Sequence, residues 1–326
     1  MPDRVYRNAT AAFRGLLTEL RGQGEWVESR TESTYELRAV TFSIQRPRER
    51  CIVDSERHNN VFASIAETLW VLAGRDDLKY LSTYLPRALE FSDDGATWRG
   101  AYGPRLRAWG AVDQVASAIE ILREHPLSRR AVISIFDPAR DLEPSRDIPC
   151  NNWLQFLIRD GKLEMHVVAR SMDIVWGFSG INSFEWSVLH ELIAVALGVE
   201  VGTQTYFVGS LHLYEKHLSR ADAILRHPSI DPYLNSSHMS HVTTASLASF
   251  DADVVRLLGW ESSLRAGDLL PEFESGDHLL GAFGIMLRAY WTWRHSGDTI
   301  RAHQVLKQLD DEGLAAAARD YFRWNH

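Results

Sequence analysis

The chain is poor in cysteine: Cys51 and Cys150 are the only two in 326 residues. Two thiols cannot build a disulfide framework, and the charged start Met1-Pro-Asp-Arg-Val-Tyr-Arg7 does not read as a secretion signal. The expectation is a cytoplasmic protein with reduced thiols, either of them available as a nucleophile. Long apolar runs are also lacking. The most apolar stretch, residues 188–199, is broken by His190 and Glu191 and falls short of the roughly 20 residues that cross a bilayer, so no membrane partner is expected. Positive charge is in deficit, with 35 Lys and Arg against 43 Asp and Glu and a formal net charge of −8. Affinity for nucleic acid comes from clustered basic residues that displace counterions from phosphates. A nucleic-acid-coating role is therefore excluded, and any anionic ligand is small and met by local arginines. No repeat, low-complexity tract or Pro/Ser/Gly-rich linker interrupts the chain, so residues 1–326 are read as one domain.

What is present is an ordinary globular balance, 45% hydrophobic and 24% charged, at a length that buries a large core. Apolar residues recur at helical spacing over residues 5–20 and over 61–72, the latter with Glu67 in its middle. Residues 131–136 are short and β-branched. Residues 153–158 and 163–169 flank Arg159-Asp160-Gly161-Lys162, a hairpin signal. Residues 183–197 form a long apolar helix and 203–208 a strand. From about residue 251 the pattern is helical to the end, including the aromatic-rich 279–293. Strands clustered in mid-chain with helices before and after predict an α+β layer fold, a mixed β-sheet layered with helices.

Reactive side chains crowd against the predicted strands. Ile148-Pro149-Cys150-Asn151-Asn152 places a thiol just before one strand, Arg129-Arg130 precedes another, and Arg170-Ser171-Met172-Asp173 ends a third. Taken singly, a cysteine beside a strand is a small buried hydrophobe and an arginine pair a solvated surface feature. Together, three arginines and a serine beside a thiol supply forked, charge-assisted hydrogen bonds for a phosphate monoester and lower the thiol pKa toward thiolate. A zinc-dependent deaminase is the competing chemistry for a nucleotide. Its Pro-Cys-x-x-Cys pattern fails at Trp153, and no His-x-Glu element stands near the cysteine, so no metal is expected.

Several segments occur in a recognisable order: Glu67-Thr-Leu-Trp70-Val-Leu-Ala-Gly74, Tyr102-Gly103-Pro-Arg-Leu-Arg107, Ser128-Arg129-Arg130, Ile-Pro-Cys150, Gln155-Phe156, Asp160-Gly-Lys-Leu, Arg170-Ser-Met-Asp173, Trp176-Gly177 and Gly209-Ser-Leu-His212-Leu-Tyr214. By these the chain resembles the thymidylate synthase family over most of residues 30–217. The resemblance implies that the sheet forms the interface of an obligate homodimer. It implies a pyrimidine nucleoside monophosphate as substrate and 5,10-methylenetetrahydrofolate as one-carbon donor. Cys150 would add to C6 of the base as a thiolate. Arg30, Arg129, Arg130, Arg170 and Ser171 would surround the phosphate, with Arg129 and Arg130 reaching the partner's site. The other roles implied are Glu67 as acid/base relay at the 4-position, Tyr102 near the C5 proton, Asp173 near the folate, and His212 and Tyr214 on the sugar 3′-hydroxyl.

The departures from that family point to one branch of it. Pro-Cys-Asn151 stands where thymidylate synthases have Pro-Cys-His. The segment Gly177-Phe-Ser-Gly-Ile-Asn182 is one residue longer than the usual Gly-Leu-Pro-Phe-Asn, which leaves Asn182 as the base-reading amide, with Ile181 the alternative. Ser210 replaces an aspartate. The chain ends Tyr321-Phe-Arg-Trp-Asn-His326 without the closing Ala-Pro-Val-type tail, and no tryptophan is found near Ala88 to shield the reacting methylene. A wetter pocket favours capture of that methylene by water. The segment 176–186 looks more like the CMP and dCMP hydroxymethylases, and C5-hydroxymethylation of a cytosine nucleotide is the expected reaction. Thymidylate synthase, dUMP hydroxymethylase and a catalytically silent nucleotide-binding homologue are the alternatives.

Overall fold

The computed structural model describes residues 4–28, 32–229, 231–234 and 238–324. Its centre is a seven-stranded sheet built from β1 (Val5–Tyr6), β2 (Glu25–Val27), β3 (Thr34–Ile44), β4 (Val132–Ser134), β5 (Asn151–Arg159), β6 (Lys162–Asp173) and β7 (Glu200–Tyr214). The strand order is β1-β3-β7-β6-β5-β4, with β2 hydrogen-bonded to β3 beside that path. The β1/β3 and β6/β7 pairs are parallel and the others antiparallel, so the sheet is mixed. The β5–β6 hairpin closes through Asp160 and Gly161, both in the left-handed region at φ 50° and 74°. Two consecutive positive φ values make the tight turn whose twist matches the flanking strands, and Asp-Gly is a preferred pair there.

Leu163, Met165, Val167 and Ala169 of β6 are buried, and the residues between them lie on a half-exposed face. On that outer face Phe207 of β7 is 39% exposed with His166 packed edge-on against it. The inner face is covered by helices. Every residue of the helix Val61–Leu72 is buried, as are the first twelve residues of the helix Ser183–Leu197, and a helix buried all round belongs in the middle of a layered core. The helices Leu247–Ala266, His278–Ser296, Thr299–Leu306 and Glu312–Trp324 complete the chain. They stack aromatics on the central helix, where Phe62 meets Tyr290, Tyr321 and Phe322 at ring distances of 5.1, 5.1 and 5.3 Å. Among the described residues no helix is long and apolar enough to cross a membrane.

Two expectations are corrected. The helix read from residue 5 starts at Ala9, because Val5 and Tyr6 pair with Ser43 and Ile44 and Asn8 caps the helix through the Ala11 N–H at 2.9 Å. The strand read over 203–208 runs from Glu200 to Tyr214, held by β3 on one side and β6 on the other.

One buried ion pair ties the loop before β5 to the rest. Arg105 is fully buried and grips Asp141 with both arms, at 2.6 and 2.7 Å, while also donating to the backbone carbonyls of Ile135 and Arg99. Removing one partner of such a pair leaves the other charge buried and uncompensated. Asp141→Ala is therefore expected to lower stability by about 3–5 kcal/mol, read as a lower denaturant midpoint at unchanged slope.

Candidate active site

The loop ending at Cys150 is clamped by Arg170 of β6. The Arg170 N–H donates to the Cys150 carbonyl at 2.9 Å. Its guanidinium donates to the carbonyls of Pro149 and Ile148 at 2.9 and 3.0 Å and lies 3.9 Å from the Cys150 sulfur. Burial pushes the Cys150 thiol up from its ordinary value and the Arg170 charge pulls it down, while Asp147 and Asp173 oppose the arginine. Gly209 of β7 permits the approach of the neighbouring strand, since a Cβ there would sit 2.8 Å from the Arg170 carbonyl oxygen.

Strand register carries the other polar groups to the same end of the sheet. Ser171 lies beside Ser210, and Asp173 beside His212. His212 is buried with its ring 5.1 Å from that of Tyr214. Asp173 accepts from the N–H groups of Val175 and Trp176 at 3.0 and 2.8 Å, capping a π-helical segment, Ile174–Asn182. An i→i+5 turn holds one residue more than an α-turn, so this segment has room for one residue beyond an α-helical path. Among the described residues no protein group bonds the Asn182 side chain, which is buried with its oxygen 3.7 Å from where a Cβ on Gly177 would be.

On the inner side, Asn151 is fully buried and its amide donates to the Tyr102 hydroxyl at 2.7 Å. Burial holds the Tyr102 phenol well above its ordinary value, and the neighbouring Cys150 charge adds to this. Glu67 is 7% exposed, and burial, with the Asp147 charge, pushes its pKa up to about 8. Cys150, Asn151, Tyr102, Glu67, Arg170, Ser171, Asp173, Asn182, His212 and Tyr214 are thus carried by elements that meet around one end of β6. Arg129 and Arg130 stand apart, exposed before β4, with no ion-pair partner among the described residues. Arg30 lies outside the described residues, as do residues 325 and 326 of the C-terminal tail.

Sequence reasoning missed three groups. Arg57 is buried beneath the π-helical segment, donating to the Ser179 hydroxyl at 2.9 Å and to the Val175 carbonyl. Burial lowers its pKa to about 10, and Asp173 counters part of that. Asp147, three residues before the thiol, accepts from the Gly100 N–H at 2.8 Å and is itself pushed up by burial. Glu185 lies in the first turn of the Ser183–Leu197 helix, and an acid among apolar and aromatic neighbours was the available signal. Residues 85–91 contain no tryptophan, but Trp98, ten residues beyond Ala88, donates its indole N–H to the Ala88 carbonyl at 2.7 Å and packs edge-on against Trp70.

Against known proteins, a family profile described as thymidylate synthase matches residues 11–265. The chain belongs to the thymidylate synthase family. It is 36% identical over 229 residues to a deoxyuridylate hydroxymethyltransferase of Delftia phage PhiW-14, covering 67% of this chain and 63% of that protein. It is 37% identical over 217 residues to the protein of that name from Pseudomonas phage M6, covering 66% of this chain and 62% of the other. A thymidylate synthase of Symbiobacterium thermophilum is 35% identical over 173 residues, covering 48% of this chain and 59% of that enzyme. The chain thus spans less than two thirds of the length of each of these thymidylate synthase relatives.

The elevated Glu67 pKa makes stability depend on pH. The native state keeps a proton on Glu67 up to about pH 8, whereas the unfolded chain loses it near 4.5. Stability is therefore expected to fall as pH rises through that window, by up to about 1.4 kcal/mol per unit. Glu67→Gln should remove that contribution from the slope, and denaturant titrations of both proteins at about pH 5.5 and about pH 7.5 measure it.

Proposed function

We propose that this chain transfers a hydroxymethyl group to C5 of a pyrimidine nucleoside monophosphate, with 5,10-methylenetetrahydrofolate as one-carbon donor. The carrying observation is a thiol, Cys150, beside the Arg170 guanidinium in a site that also holds the buried, proton-bearing carboxyl of Glu67. The names of the phage relatives support the hydroxymethyl outcome.

The residues present fit the donor. Each Asp173 oxygen accepts one backbone N–H and keeps a lone pair for an N–H edge. Trp176 beside it is 43% exposed and offers a flat face. These two would hold the donor, which when bound supplies a carbon at the oxidation level of formaldehyde. In this reading Arg170, Ser171 and Arg30 hold the nucleotide phosphate, joined by Arg129 and Arg130 from a partner subunit across the outer face of the sheet. His212 and Tyr214 hold the sugar. The Cys150 sulfur bonds C6 while Glu67 gives its proton to the substituent at C4, and C5 becomes nucleophilic. C5 bonds the donated carbon, Tyr102 takes the C5 proton, and the bond from that carbon to the donor nitrogen breaks, with the protons held by Tyr102 and the C4 substituent leaving on the departing amine. Once C5 bears an exocyclic methylene, water bonds that carbon and its proton passes to the Glu67 carboxylate. The electron pair returning from C4 re-forms the C5–C6 double bond and expels the Cys150 thiolate.

Asn182 reads the base, and cytosine is the base this reading favours. Its support is the unbonded Asn182 amide beside the lengthened segment, together with Asn151 in the place of the histidine usual in the uracil-specific enzyme. Uracil is the second reading, favoured by the name deoxyuridylate hydroxymethyltransferase in both phage relatives.

The test is incubation with methylenetetrahydrofolate and each of CMP, dCMP, UMP and dUMP, followed by mass measurement of the products. A gain of CH2O on a cytosine nucleotide is expected, without the near-ultraviolet absorbance rise of dihydrofolate. A gain of CH2O on a uracil nucleotide selects the second reading, and a methylated product with a stoichiometric absorbance rise overturns hydroxymethylation. The shared site is tested separately by subunit mixing. Cys150→Ala and Arg130→Ala should each lose turnover and regain it when refolded together, because one mixed dimer contains one intact site. Heterodimers without activity would place Arg130 outside the partner's site.

A further inference from the structure

The core behind Glu67 holds a second acid with no assigned role. Glu185 is 2% exposed, and neither of its carboxyl oxygens has a hydrogen-bond partner within the protein. The Ser183–Leu197 helix that carries it packs against the Val61–Leu72 helix that carries Glu67. Neither acid has an ion pair to Lys, Arg or His among the described residues. The titratable groups that act on this pocket are Glu67 on Glu185, Cys150 and Glu185 on the phenol of Tyr102, Glu185 on that of Tyr206, and Asp147 on Glu67. All are acids, so no cation compensates a charge here.

A buried carboxyl without a cation stays protonated, because an ionised one would lose its hydration for nothing. A neutral carboxylic acid is also an O–H donor, which a carboxylate is not. Two further polar atoms of this layer, the Asn151 side-chain oxygen and the Trp186 indole nitrogen, likewise lack protein partners, and the Trp186 ring lies 5.2 Å from that of Tyr102. Native structures rarely leave several such groups together without a purpose.

We propose that Glu185 is a positioning residue that remains a neutral acid throughout turnover and directs its O–H toward Glu67, steadying the Glu67 carboxylate in the interval between giving its proton to the base and taking one from water. This rests on the function proposed above for Glu67. No net proton passes through Glu185. Its contribution is a charge-assisted hydrogen bond that exists only while Glu67 is ionised, so its loss weakens turnover rather than nucleotide binding.

The test uses Glu185→Gln, close to isosteric and still a donor through its amide, and Glu185→Leu, which is not a donor. Difference infrared spectra of the ligand-free proteins at neutral pH should show two buried protonated-carboxyl C=O contributions in the wild type, one lost in Glu185→Gln and the other in Glu67→Gln. A band unchanged in Glu185→Gln overturns the proposal whatever reaction the enzyme catalyses, and so separates its failure from that of the functional reading. In turnover, Glu185→Gln should keep kcat within about tenfold. Glu185→Leu should lose on the order of 10²-fold in kcat with nucleotide Kd little changed, the range expected of one donor to a developing charge. Its alkaline limb should move to higher pH, since Glu67 ionises less readily without the donor. Equal kcat and pH profiles in wild type and Glu185→Leu would also overturn it. If Glu185→Leu does not fold, the infrared comparison on Glu185→Gln stands alone as the decision.

Discussion

The geometry of the site hangs on the register of β6. This strand is sandwiched between β5, which brings Asn151 opposite Ala169, and β7, which brings Ser210 beside Ser171 and His212 beside Asp173. Side chains alternate across a sheet, so a slip of one residue would turn Arg170 into the core and Ala169 toward the thiol. The register is fixed at one end by the Asp160-Gly161 turn and at the other by the Arg170 clamp on the carbonyls of Ile148, Pro149 and Cys150. The Cys150 thiol is thus positioned by backbone pairing, a stiffer constraint than side-chain packing alone.

The inner half of the site obeys a different constraint, the absence of counter-charge. Glu67 and Glu185 sit in helices that are apolar on nearly every side, and burial of an unpaired carboxylate costs several kcal/mol. Both therefore carry protons under conditions where surface acids do not. The outer half is the reverse, with Arg170 exposed at the thiol and Asp173 solvated and capped. Positive charge and proton-bearing acids are divided between the two sides of one loop.

Elements set by local periodicity were legible in the sequence. The helices Val61–Leu72 and Ser183–Leu197 and the β5–β6 hairpin stand where apolar spacing and the Asp-Gly pair put them. The strand β3 was not read, because only its C-terminal half alternates buried and exposed while Glu36 and Arg38 break the pattern earlier. The start of the first helix was misplaced because the capping preference of Asn8 was outweighed by the apolar Val5. Of the site, the thiol, the arginines and Glu67 were legible as motifs. Arg57, Asp147 and Trp98 were not, since their importance lies in contacts with residues 175–179, 100 and 88 that no local pattern encodes.

The π-helical segment has a consequence for how such an enzyme changes over evolutionary time. A single inserted residue in an α-helix rotates everything after it by about 100°, which would turn the buried face of Ser183–Leu197 out of the core. Absorbed in a wider turn, the same insertion leaves the following helix in phase, and Arg57 with Ser179 closes the extra loop of backbone from beneath. The Ile174–Asn182 segment can therefore gain or lose one residue without cost to the helix behind it. In the proposed reading, where Asn182 reads the base, a one-codon insertion or deletion changes base preference in a step that point substitution in a packed core would reach only through several destabilised intermediates.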